Sequence, residues 1–82
     1  MIFEIYSPES PCLKGEAKSI VFPCTDGELC VMDGHMPLAA SLGDGILKIR
    51  SDGDTVSYRT GDGFTEVRNN TVIIYVNKKE RI

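Results

Sequence analysis

Turn chemistry interrupts this chain at intervals of about 8–10 residues, and that rhythm constrains the fold more than any other feature. The signals are Ser7-Pro8-Glu9-Ser10-Pro11, Gly15, Pro23 through Gly27, Asp33-Gly34-His35, Gly43-Asp44-Gly45, Ser51-Asp52-Gly53-Asp54, Gly61-Asp62-Gly63 and Asn69-Asn70. Gly, Asn and Asp tolerate positive φ in such turns, and Pro presets φ. What lies between is too short for stable helices and is rich in Val, Ile, Tyr, Phe and Thr, the residues that suit a pleated surface. The spacing therefore predicts an all-β domain with strands near Ile2–Tyr6, Glu16–Phe22, Glu28–Met32, Leu38–Leu42, Ile46–Arg50, Thr55–Thr60, Phe64–Arg68 and Thr71–Asn77.

Period-two alternation supports several of these strands. Ile2, Glu4 and Tyr6 oppose Phe3 and Ile5, while Leu47 and Ile49 oppose Lys48 and Arg50. The segment Val72-Ile73-Ile74-Tyr75-Val76 is apolar on both faces, which predicts a central strand. Asp52-Gly53 and Asn69-Asn70 are tight hairpin signals. Gly34, beside a turn, is expected at positive φ. The charged run Asn77–Ile82 contains helix formers without turn residues, and it is expected to fray or to begin another element. At 82 residues the chain reads as one domain, 1–82, without repeat or linker.

Charge removes whole classes of function. The net charge is −3, and no Lys/Arg block precedes the tail. Nucleic acid and anionic lipid surfaces both call for a basic footprint, so neither is an expected partner. No apolar run approaches the ~18 residues of a membrane helix. Glu4 stands where an export signal would be basic or apolar, so the expectation is a soluble, unexported chain. Cys12, Cys24 and Cys30 are odd in number and loosely spaced, which predicts unpaired thiols in a reducing compartment. With His35 they could form a Cys₃His zinc set, but the tight ligand pairs of structural zinc sites are absent. Cys30 and His35 could make a nucleophile and base, yet no nucleophile signature surrounds them. Phosphate loops need glycines directly before a helix, whereas Gly43-Asp44-Gly45 and Gly61-Asp62-Gly63 precede strand-like runs and carry an acid. Asp26-Gly27-Glu28 and Asp52-Gly53-Asp54 do not continue as a calcium loop would. The residues alone thus describe a small acidic β module without visible catalytic apparatus, cofactor or metal site, which favours protein–protein interaction.

One stretch carries more. Pro23-Cys24-Thr25-Asp26-Gly27-Glu28-Leu29, continuing to Gly34-His35-Met36-Pro37-Leu38, resembles the "P-x-x-D-G-E-L/M … P-G-H-x-P-L" segment of the epsilon subunit of rotary ATP synthases, called delta in mitochondria. Phe3-Glu4-Ile5-Tyr6-Ser7-Pro8-Glu9 is similar to the family's opening. Gly45-Ile46-Leu47-Lys48-Ile49-Arg50 is similar to its "P-G-x-L-x-I-R", and Gly63-Phe64-Thr65-Glu66-Val67-Arg68-Asn69-Asn70-Thr71-Val72 to its "G-G-F-L-E-V-x-x-N-x-V". The matches run in order along nearly the whole chain. Departures fall at turns and at the end: Cys30 for Gly, Asp33 for Pro, Asp44 for Pro, Asp62 for Gly, and a basic run after Val76 where the family is acidic.

The resemblance implies a flattened β-sandwich of about eight to ten short strands. It implies a non-catalytic rotor subunit in the central stalk, which binds the gamma subunit and the c ring and couples ion translocation to ATP synthesis. The place implied is the cytoplasmic face of the cell membrane, as a peripheral part of the complex, in a bacterium. Glu28 matches the family acid that faces the basic c-ring loops, and His35 and Ser7 match positions near gamma. The family's C-terminal α-helical hairpin, which in some members binds ATP or inhibits hydrolysis, is not expected within these residues. The alternative is a stand-alone β-sandwich module that binds a small ligand or metal. An ATP synthase beta-subunit gene beside this one would decide between them.

Overall fold

The computed structural model describes residues 1–82, contains no helix and forms one continuous ten-stranded sheet. The strands are β1 (Ile2–Ser7), β2 (Ser10–Glu16), β3 (Ser19–Cys24), β4 (Gly27–Met32), β5 (Leu38–Leu42), β6 (Gly45–Ser51), β7 (Asp54–Thr60), β8 (Gly63–Arg68), β9 (Thr71–Val76) and β10 (Lys79–Arg81). The order is β10-β7-β6-β3-β5-β8-β9-β1-β2, and β4 pairs with β3. All pairs are antiparallel except β1 with β9. Only Cys24↔Leu42 joins β3 to β5. There the sheet turns a corner and folds back, giving one layer of β4-β3-β6-β7-β10 and a second of β5-β8-β9-β1-β2, as sheets do where a strand contributes to both.

Alternation decides what lies between the layers. Phe3 and Ile5, Ile20 and Phe22, Leu47 and Ile49, and Val72, Ile74 and Val76 are all buried, each two residues from its neighbour on the same strand. Thirteen such side chains make the core. Thr65 joins them, and its hydroxyl donates to the Ile73 carbonyl at 3.0 Å, so its burial leaves nothing unpaired.

Two strands arise where turn or tail was expected. Ser10–Glu16 forms β2 despite Pro11. Ile5↔Leu13 and Ser7↔Ser10 place three steps on β2 against two on β1, a bulge at Pro11–Cys12. An edge strand at a bulge has no ladder partner to lose on its outer side, so proline is tolerated. Lys79–Arg81 pairs with Tyr58–Thr60 at the other edge, and the Lys79 ammonium lies 5.6 Å from the centre of the Tyr58 ring. Charge there is what a sheet edge exposed to water calls for. The strand expected at Glu16–Phe22 instead starts at Ser19 and runs through Pro23, whose carbonyl accepts from Gly43 N at 2.8 Å.

The hairpin expectations hold. Asn69 and Asn70 have φ of 51° and 56°, Gly53 has 74°, and Gly34 has 78°. Replacing Gly34 by Val should cost about 1–3 kcal/mol, from backbone strain alone, because open space surrounds its Cβ position. Gly63 is constrained differently: a Cβ there would stand 1.9 Å from the Tyr75 carbonyl oxygen. Urea denaturation should therefore show Gly63→Ala losing more stability than Gly34→Val, because strand β8 must move away from β9 to admit the methyl group.

Candidate functional site

Strand β9 is central, as its sequence implies, hydrogen-bonded to β8 and β1. Yet its second apolar face is not covered by the rest of the chain. Val72, Ile74 and Val76 enter the core, whereas Ile73 is half-buried and Tyr75 is 46% exposed. Register then aligns aromatic rings from three strands. Phe64 opposes Tyr75, and Tyr75 opposes Tyr6. The Tyr6 and Tyr75 rings stack with centroids 5.5 Å apart and an interplanar angle of 21°. Phe64 is 40% exposed and Tyr6 36%. One row over, Glu66, Ile73 and Glu4 lie side by side. A shallow depression between Tyr6, Ser7, Pro8, Tyr75 and Val76 runs to the end of the row.

The Tyr6 hydroxyl donates to the Glu4 carboxylate two residues along the same face, which holds the tyrosine proton and pushes its pKa upward, with nearby Cys12 adding to the shift. The row is thus apolar ring surface with one neutral hydroxyl already committed to an acceptor. Contiguous exposed aromatics of this kind mark contact surfaces, because they bury large area at little conformational cost.

The antiparallel ladders assign each turn to one of two rims. Turns after β1, β3, β5 and β7 share one rim, and those after β2, β4, β6 and β8 share the other. Ser7 and Glu28 lie on the first rim and His35 on the second, so the three residues singled out in the sequence do not converge. Glu28 is exposed on β4 beside Asp26 and Gly27, the latter at φ 123°. The Ser7 hydroxyl is enclosed and has no hydrogen-bond partner. His35 is half-buried in the loop between β4 and β5, and its Nδ1–H donates to the Met36 carbonyl at 2.7 Å, leaving Nε2 free. Met36 and Met32 flank it at 77% and 60% exposure.

The other sequence candidates stay apart. Cys12 and Cys30 are exposed on β2 and β4, in different layers, and Cys24 is half-buried on β3. Burial, then the nearby Asp26, raises the pKa of the Cys24 thiol and so disfavours its thiolate. No three His, Cys, Asp or Glu side chains gather as a metal would require. Gly43-Asp44-Gly45 and Gly61-Asp62-Gly63 lead into β6 and β8 rather than helices, and Asp62 accepts from the Asn77 amide at 2.6 Å.

The aromatic row was not identified from sequence. Its signal is the two-faced apolar character of Val72–Val76, which predicts a central strand but does not show that the second face stays uncovered by the chain.

Comparison with known proteins adds a consistent context. The family described as "ATP synthase, Delta/Epsilon chain, beta-sandwich domain" matches residues 1–82. The ATP synthase epsilon chain of a Synechococcus strain is 30% identical over 81 residues, which are 99% of this chain and 59% of that protein. The epsilon chain of Pelotomaculum thermopropionicum is 38% identical over 78 residues, 95% of this chain and 58% of that one. The chain therefore spans somewhat under three fifths of these curated relatives. Among solved structures, a chain of the Euglena gracilis mitochondrial ATP synthase (OSCP/F1/c-ring) shares the fold with TM-score 0.88 and 24% identity, over 96% of this chain and 51% of that one. A chain of the Tetrahymena thermophila mitochondrial ATP synthase central stalk and c-ring does so with TM-score 0.81 and 18% identity, over 95% and 63%.

Asp33, where that family has proline, holds an ion pair with the Met1 ammonium. This contact lowers the Asp33 pKa, with help from Asn70 and Lys18. A depressed carboxyl contributes stability that is complete above its unfolded pKa of about 4 and is lost as pH falls through the folded value. Between pH 6 and pH 3 the melting temperature of the wild type should thus fall further than that of Asp33→Asn, as followed by circular dichroism.

Proposed function

The chain belongs to the family of ATP synthase delta/epsilon-chain β-sandwich domains, and from that premise we propose that it is a non-catalytic central-stalk subunit of a rotary ATP synthase. It binds the gamma subunit and the c ring and so couples ion translocation to ATP synthesis at the cytoplasmic face of the membrane. The observation that carries this reading is the uncovered aromatic row Phe64–Tyr75–Tyr6 on an otherwise complete sheet. Gamma packs on that face. Three rings side by side supply the desolvated centre that a stable contact needs, and Glu4 and Glu66 supply a polar surround.

Glu28 faces the basic loops of the c ring from the opposite layer's rim. An exposed carboxylate beside a hairpin tip steers and orients more than it binds. His35 and Ser7 approach gamma from the two rims. With its hydroxyl turned inward, Ser7 offers backbone and Cβ surface, whereas His35 offers Nε2 on a loop rich in exposed methionine. The work asked of the domain is mechanical. Rotation driven at one contact must appear at the other, so the body between them has to be stiff, and catalysis resides in other chains. A close-packed core between two hydrogen-bonded layers meets that demand.

Mutations separate the two contacts. Tyr75→Lys places a charge in the centre of the row without touching the core, so the isolated chain should keep its melting temperature. Calorimetry should show gamma affinity falling by ~30-fold or more, the scale of a hot-spot residue. Glu28→Lys should leave gamma affinity unchanged and reduce ATP synthesis in reconstituted vesicles. Undiminished gamma binding by Tyr75→Lys would refute the assignment of the aromatic face.

A further inference from the structure

The loop Asp33–Pro37 carries His35 and the exposed Met36, yet no sheet ladder holds it. Beyond its own bonds, His35 N to Met32 O at 3.1 Å and His35 Nδ1 to Met36 O at 2.7 Å, it depends on contacts with other elements. The long Asp33 N to Lys18 O bond, 3.4 Å, is one, and the Asp33 pair with the Met1 ammonium is another. The shortest backbone anchor comes from the β8–β9 turn, where Asn70 Oδ1 accepts from Gly34 N at 2.9 Å across 36 positions of sequence.

Asn70 is well mounted for this. Its own carbonyl accepts from Ile2 N at 3.1 Å, and Arg68↔Thr71 closes the hairpin behind it. Asn70 also helps to lower the pKa of Asp33, the residue before Gly34, after the larger effect of the Met1 ammonium. The backbone supplies an independent observation. Asn69 and Asn70 both adopt positive φ, 51° and 56°, as a two-residue hairpin turn of the mirror-image type demands. The second central position of such a turn favours Gly, because a Cβ in that region carries a steric cost. A side chain kept where Gly would suit the turn better, and bonded not to its own turn but to a distant loop, points to a task in that loop.

We infer that Asn70 is a positioning residue, which sets the His35-bearing loop in its partner-facing geometry without itself meeting the partner. The inference rests on the proposed reading that this loop approaches gamma, so the test separates the two. Asn70→Gly removes the carboxamide and suits the turn, and its melting temperature should match or exceed that of the wild type. Amide exchange measured by NMR should accelerate at Gly34 by about tenfold, the worth of one hydrogen bond, while β8 and β9 keep their protection. Gamma affinity should fall about as far as it does in His35→Ala, and the double variant should lose little more than either single. Unchanged Gly34 exchange in Asn70→Gly would overturn the clasp. Faster exchange with full gamma affinity, in a protein where His35→Ala does weaken binding, would overturn the positioning role. If His35→Ala leaves gamma affinity intact, the proposed docking of the loop fails instead, and the exchange result alone decides whether Asn70 holds it.

Discussion

Ten strands in 82 residues present two faces, but the chain has enough apolar surface to close only one of them against itself. Seventeen residues are buried, a small core that leaves little stability to spare. The fold meets this by bending a single sheet at Cys24–Leu42, so that the inner faces of both layers share one set of side chains. Everything outside that closure is left to water or to another protein. On the β3–β6–β7 layer the outer face is mostly polar or charged, with Lys48, Arg50, Ser57 and Arg59. On the β8–β9–β1 layer it is aromatic. The two outer faces therefore differ in kind, one mostly polar or charged and one aromatic.

Much of the architecture was legible because turn chemistry is local. Asp52-Gly53 and Asn69-Asn70 each fix a hairpin within a few residues of sequence, and the strands beside them follow. Where the reading failed, a local rule was overridden by position in the sheet. Pro11 reads as loop, yet it sits at a bulge on an edge where no hydrogen bond is forfeited. Lys79-Glu80-Arg81 reads as a charged tail, yet an edge strand tolerates that composition.

The candidate site was less legible for a related reason. Glu28, His35 and Ser7 came from resemblance, not from any geometry that sequence alone supplies. Tyr6, Phe64 and Tyr75 become neighbours through pairings between segments far apart in the chain, above all the parallel β1–β9 ladder. Period-two alternation shows that Tyr6 and Tyr75 each face away from one strand's core side. It does not show that they stack. The clasp between Asn70 and Gly34 is equally non-local, although two consecutive asparagines in a tight turn hint that one of them has a second role.

Hydroxyl-radical footprinting of the chain, alone and bound to gamma, tests the central claim most directly, because aromatic and methionine side chains report their own exposure. The account predicts strong protection of Tyr6, Phe64 and Tyr75 in the complex, with Met36 in the His35 loop protected alongside them. If those three rings stay as reactive as in the free chain while protection falls on the outer face of β3, β6 and β7, the aromatic row is not the docking surface and the account is wrong.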